Sequence, residues 1–173
     1  KYLTEEVVSI ADAIQGASDI VAEMISDDAE IRKSLRNYLV HRGDTECELQ
    51  EGEEAYVYQM YDNYKSPIKN LPSHRVLAIN RGEKEKYLKV SLVLKLQIAL
   101  DIIAKKYIKE NSPYLELLNT IAEDSYNRLI FPSIEREIRN ELTDTASEQA
   151  IKMFEVNLKP LLMQPPLKNR VIL

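Results

Sequence analysis

Tryptophan is absent from this sequence, cysteine occurs once, and four glycines and two histidines are spread over 173 residues. Each scarcity removes a class of function. With Cys47 as the only thiol, neither an internal disulfide framework nor a multi-cysteine zinc site can form. Glu46 and Glu48 flank that thiol and disfavour the thiolate, so Cys47 reads as a small, partly buried residue in a reducing, cytoplasmic setting. The histidines, His41 and His74, lie in different segments, and neither has a Glu or His at helical ligand spacing. Gly43 and Gly82 stand alone and build no phosphate-cradling loop. No serine sits in a nucleophile elbow. No apolar run approaches the ~20 residues that would span a bilayer, so no membrane segment is expected. The start, Lys1-Tyr2-Leu3-Thr4-Glu5-Glu6, has neither an initiator Met nor a signal-peptide core, which suggests a piece of a longer protein. No active site and no cofactor are expected.

What is present is charge, tyrosine and helical periodicity. Lys and Arg number 23 against 28 Asp and Glu, a net charge of −5 that disfavours strong nucleic-acid binding by this segment alone. The distribution is uneven. Residues 44–64 carry Asp44, Glu46, Glu48, Glu51, Glu53, Glu54 and Asp62 and no Lys or Arg, whereas residues 65–89 carry Lys65, Lys69, Arg75, Arg81, Lys84, Lys86 and Lys89. These are either two solvated faces that attract each other on folding or a basic strip facing phosphate or a partner. Tyr56, Tyr58, Tyr61 and Tyr64 crowd the acidic stretch. Stacked tyrosines can form a platform for bases, but acidic neighbours favour packing between helices.

Apolar residues recur at three- and four-residue steps along most of the chain. Ile10, Ala13, Ile14, Ala17, Val21, Met24 and Ile25 make a first stripe, and Gly16 within it suggests a close helix contact or a break. Asp27-Asp28-Ala29-Glu30 opens a second helix through Ile31, Leu35, Tyr38 and Leu39 that stops at Gly43. A short helix is expected around Glu53–Met60, followed by a loop through Ser66-Pro67. Residues 45–50 and 87–94 alternate as short strands, although 87–94 could equally begin a helix. A helix follows from Leu96 through Tyr107. Asn111-Ser112-Pro113 marks a boundary, with Ser112 as N-cap. Pro132 should kink or end the helix it meets. Beyond it Ile134, Ile138 and Leu142 share a face, and Glu135 and Arg139 can pair one turn apart. Glu137 and Glu141 share a helix face and suit a solvated or interhelical salt-bridge network. Thr145-Ala146-Ser147-Glu148 has capping-box form and should start a last helix burying Ala150, Met153, Phe154, Leu158 and Leu161 up to Pro165-Pro166. The expected fold is mainly α, a multi-helix scaffold with at most a small two-stranded β element.

The densest segment is Pro72 to Glu85. Ser73 can cap a helix, Val76-Leu77-Ala78-Ile79 is an apolar turn, and Gly82 suits the left-handed position after a helix end. His74, Arg75 and Arg81, with Lys84 and Lys86 beyond, are the candidate nucleic-acid or anion contacts. The alternative has the arginines holding carboxylates or helix-end carbonyls in a scaffold.

Taken in order, Ala13-Ile14-Gln15-Gly16-Ala17-Ser18-Asp19-Ile20-Val21-Ala22-Glu23, Tyr61 to Pro67, Ser73 to Glu85, Leu129 to Leu142 and Asn157 to Leu167 resemble the Tex family of bacterial transcription accessory proteins. The resemblance implies that the whole protein binds nucleic acid, chiefly RNA, through a C-terminal OB-fold domain. It also implies RNase-H-like and helix-hairpin-helix domains, all outside this sequence, and a relation to a eukaryotic elongation factor of the same layout. Residues 1–110 would be the N-terminal helical region, 111–167 a continuation of that scaffold, and 168–173, with Arg170-Val171-Ile172-Leu173, the first strand of a following domain. Contact with the transcription machinery would follow. The other reading is a stand-alone helical adaptor that docks a protein partner through its acidic, tyrosine-rich face.

Overall fold

The computed structural model describes residues 9–52, 55–109 and 111–164. Its elements are α1 (Ile10–Ser26), α2 (Ala29–Arg42), β1 (Asp44–Leu49), β2 (Tyr64–Pro67), α3 (Ser73–Lys84), β3 (Leu88–Val93), α4 (Leu96–Tyr107), α5 (Leu115–Asp124) and α6 (Phe131–Leu162). Short 3-10 turns at Ala55–Tyr61 and Ile68–Asn70 flank β2. The fold is mainly α, as periodicity predicts. Among the described residues no helix is long and apolar enough to cross a membrane. The expected strand at 168–173 lies outside the described residues.

Capping chemistry sets the first two helices. The Asp12 amide donates to Ser9 Oγ at 3.1 Å and the Ser9 amide donates back to Asp12 Oδ2 at 3.0 Å, a reciprocal box that satisfies two orphan donors. Asp28 accepts from the amides of Glu30 and Ile31 and starts α2. Gly43 ends α2 as expected. In place of two strands there are three, ordered β2-β1-β3 and antiparallel throughout, with Thr45 opposite Leu92 and Ser66. Residues 87–94 resolve as strand. The unexpected β2 has only four residues and includes Pro67, too short for alternation to announce it.

Two apolar clusters result. The larger gathers Ile25, Leu35, Leu39, Ile103, Ile130 and Ile138 from α1, α2, α4 and the α5–α6 segment. The smaller lies against the sheet and comprises Cys47, Tyr58, Tyr61, Ile79 and Leu88.

Several local expectations are corrected. α5 begins at Leu115, two residues beyond Pro113, and Ser112 Oγ accepts from the Tyr114 amide ahead of it. A π turn at Ser125–Ile130 carries α5 directly into α6, and Pro132 falls immediately after it without ending the helix. Thr145-Ala146-Ser147-Glu148 starts nothing: it lies inside the 32-residue α6, with Ala146 wholly buried. Thr, Ser and Glu are tolerated in helix interiors, so the motif is degenerate once packing holds the helix on both sides. Gly16 has no atom within 4 Å of where a Cβ would sit, so no close contact explains it.

Pro72, not Ser73, precedes α3 as its cap, and the Ser73 hydroxyl instead donates to Gln149 Oε1 of α6 at 2.6 Å. Gly82 is within α3 and buried; its φ is not positive. The left-handed residue is Lys86, at φ 65°. Its amide donates to the Glu83 carbonyl and the Tyr87 amide to the Gly82 carbonyl, the paired bonds of a Schellman ending with lysine where glycine is usual. Gly82 is small for a different reason. A Cβ there would lie 2.6 Å from Leu88 Cδ1 and 2.9 Å from Tyr58 Cδ1.

Two substitutions therefore move stability in opposite directions. Gly82→Val should destabilise by about 1–3 kcal/mol through overpacking against Leu88 and Tyr58. Lys86→Gly should be neutral or stabilising by up to ~1 kcal/mol, because relief of left-handed strain is partly offset by glycine's greater freedom in the unfolded chain. Chemical denaturation of both variants checks the pair. A destabilised Lys86→Gly beside an unaffected Gly82→Val would contradict this ending for α3.

Candidate nucleic-acid interface

α3 carries the candidate contacts, and its geometry divides them. His74 and Arg75 occupy the first turn while Arg81 and Lys84 occupy the last, about 10–15 Å along the axis. Residues seven apart share a face, so His74 and Arg81 look the same way and Arg75 is turned aside. Arg75 donates to Tyr64 Oη at 2.7 Å and lies 5.1 Å over the Tyr64 ring centroid. Arg81 donates to Glu85 Oε1 at 2.8 Å, one helical turn on. Lys84 and Lys86 are exposed and make no ion pair among the described residues. These five residues do not converge on one anion-sized point.

Much of the basic strip is used in folding. Lys65 bridges Glu46 at 2.7 Å and Asp44 at 3.4 Å across the sheet, and Lys89 approaches Glu48 at 3.9 Å. The acidic and basic stretches thus meet one another, leaving Lys69, Arg75, Lys84 and Lys86 as the strip's exposed cations outside ion pairs among the described residues. The tyrosines are also committed. Tyr58 is buried, donates to Glu85 Oε2 at 2.6 Å and stacks on Tyr87 with centroids 6.0 Å apart; Tyr61 is buried edge-on to Tyr64 at 5.8 Å. Only Tyr56 of the four stands well exposed.

The remaining charges hold helices together. Arg36 of α2 donates to Glu137 at 2.7 Å and also to Glu141, which makes the expected interhelical network. Arg139 pairs with Glu83 of α3 rather than with Glu135. Glu135 Oε1 instead accepts from the Leu92 amide at 2.9 Å, capping the outer edge of β3 with a carboxylate. Burial pushes the Cys47 thiol up to about 11, against the pull of Arg139 and with a push from Glu83. The direction matches expectation, but the charges responsible are remote in sequence and not the flanking glutamates. His41 Nδ1 bonds the Asn37 carbonyl at 2.7 Å. No group of three or more His, Cys, Asp or Glu among the described residues could hold a metal.

One surface escaped sequence reasoning. Beyond Ala146, α6 exposes Ile151, Met153, Phe154, Leu161 and Leu162, residues that periodicity assigned largely to the core. Met153 and Phe154 line a groove of about 710 Å³ against the first turn of α3, where His74 and Leu77 form the other wall. The apolar stripe was visible in the sequence; its lack of a covering partner was not.

Two measurements test this electrostatic picture. Arg81→Ala should leave the melting temperature nearly unchanged, since its pair with Glu85 is solvent-screened. Arg75→Ala should lower it more, because packing over Tyr64 is lost with the charge. The second is pH dependence. Lys106 beside Asp28 holds its carboxyl down to about 2 from 3.8, helped by the Ile31 and Glu30 amides and Tyr107. A depressed carboxylate stabilises the fold above its unfolded pKa, so Asp28's contribution is complete above about pH 4 and disappears toward pH 2. Asp28→Asn should flatten that acid limb in thermal melts from pH 5 to pH 2, about the range the linkage spans.

Residues 1–154 match the family model described as Tex central region-like. The chain is 44% identical to the uncharacterized protein YdcI of Bacillus subtilis over its whole length and 25% of that protein. It is 30% identical to the transcriptional accessory protein Tex of Neisseria gonorrhoeae over 95% of this chain and 23% of that one. To the human S1 RNA-binding domain-containing protein 1 it is 27% identical, over 91% of this chain and 17% of that protein. The chain thus spans a quarter or less of the length of these relatives. It belongs to the Tex family, to whose central region it corresponds.

Proposed function

We propose that this chain is a non-catalytic helical scaffold of a Tex-like transcription accessory protein, a cytoplasmic protein that acts on RNA through domains elsewhere in its length. One observation carries the reading. α6 runs unbroken for 32 residues, packs into the core along its first half and exposes apolar side chains along its second. An apolar stripe on a rigid helix suits the placement of neighbouring domains and fits phosphate poorly. α1 packs on α5 and α2 on α6, which supports treating residues 1–110 and 111–167 as one scaffold. The link to RNA and to the transcription machinery comes from the names of the longer relatives.

The adaptor reading has less support. Its tyrosine-rich face is mostly interior, with Tyr58 and Tyr61 buried.

With a net charge of −5 and no convergence of the α3 cations on one point, residues 1–173 should bind single-stranded RNA with a Kd weaker than ~1 μM at physiological salt. Anisotropy titration at two salt concentrations measures this. Tight, steeply salt-dependent binding that vanishes in Lys84→Glu/Lys86→Glu would make α3 a nucleic-acid site and sink the scaffold assignment.

A further inference from the structure

The strand β1 turns Thr45 inward, where the residue is 2% exposed. Its Oγ1 is the one buried side-chain polar atom among the described residues without a hydrogen-bonding partner in the protein. Leaving such a hydroxyl unpaired is unfavourable, and most buried polar groups find a partner. Thr45 lines a small cavity of about 20 Å³, with Val76, Ile79, Asn80, Leu92 and Arg139 among the lining residues. One water needs roughly 10–15 Å³ and two or more polar neighbours. The volume suffices, and Asn80 and Arg139 supply polar residues to the lining beside Thr45. Asn80 donates through Nδ2 to Thr143 Oγ1, which leaves its carbonyl oxygen to accept, and Arg139 engages Glu83 through Nη2, which leaves other guanidinium N–H groups to donate.

The same two residues line a wider polar cleft of about 340 Å³ between α3 and α6, with Glu135, Arg136 and Asn140 at its mouth. A path for exchange with solvent therefore adjoins the small cavity.

We propose that this cavity is a binding site for a single water molecule, which donates to or accepts from Thr45 Oγ1 and joins β1 to the Asn80–Arg139 seam of α3 and α6. The water makes the seam continuous: sheet to water, water to α6, α6 to α3. It also pins the strand's facing, since a one-residue slip would swing Thr45 out and Glu46 in. The site is structural and independent of whether the chain acts on RNA.

Two readouts test it. A high-resolution crystal structure of the wild-type chain should show ordered water about 2.7–3.0 Å from Thr45 Oγ1. Thr45→Val keeps the shape and removes the hydroxyl. If the water is held there, the variant loses its bridge and melts about 2–4 °C lower. If Thr45 were merely an unpaired hydroxyl, valine would relieve the penalty and melt higher. A dry cavity in the crystal, or a raised melting temperature for Thr45→Val, overturns the assignment.

Discussion

The packing of α3 against α6 is the contact on which the other placements depend. α6 touches the sheet, through the Glu135 carboxylate on the Leu92 amide, and α2, through Arg36, while its buried Ile134 and Ile138 complete the larger core. α3 reaches α6 through polar groups spread along its length: Ser73 to Gln149, Asn80 to Thr143, Glu83 to Arg139. Three such pairs fix both the spacing and the rotation of one helix on the other. Individually they are modest, since solvent screens those at either end. Collectively they set a register that apolar burial alone leaves loose, because hydrophobic packing is non-directional.

The small sheet is subordinate to that pair of helices. β1 is its central strand, and both edges are guarded: β2 ends in proline, and β3 presents its outer Leu92 amide to Glu135. Gly82 allows the sheet to approach, because Leu88 and Tyr58 occupy the space a side chain would need. The chain accepts left-handed strain at Lys86 in order to turn from α3 into β3 at that distance. A lysine there is not without compensation, since its charge lies at a helix C-terminus, where the macrodipole favours cations.

Sequence reasoning succeeded where a signal was local and its meaning unique. Gly43 as a stop, a helix from Leu96 through Tyr107 and a strand at 45–50 follow from one-residue chemistry or clear alternation, whereas the cap of α2 is Asp28, one residue past the start of the expected Asp27–Glu30 box. It failed where a pattern admits two outcomes that only tertiary packing separates. A capping box inside α6 looks the same as one at a start, and a buried glycine looks the same as a left-handed one. The candidate site was legible as composition but not as geometry: His74, Arg75, Arg81, Lys84 and Lys86 are close in sequence, yet the helix distributes them around and along its surface.

The division of charge and apolar surface bears on what such a scaffold can do. Folding brings Lys65 and Lys89 to the acidic strand β1 and ties Arg81 to Glu85, so three of the strip's seven Lys and Arg are paired within the chain itself. The cations left over are scattered single charges, and scattered charges yield weak, salt-sensitive attraction without register. Apolar surface behaves differently. The exposed side chains of α6 continue a helix whose first half packs in the core, so the helix sets their spacing. Specific placement needs that spacing more than it needs charge.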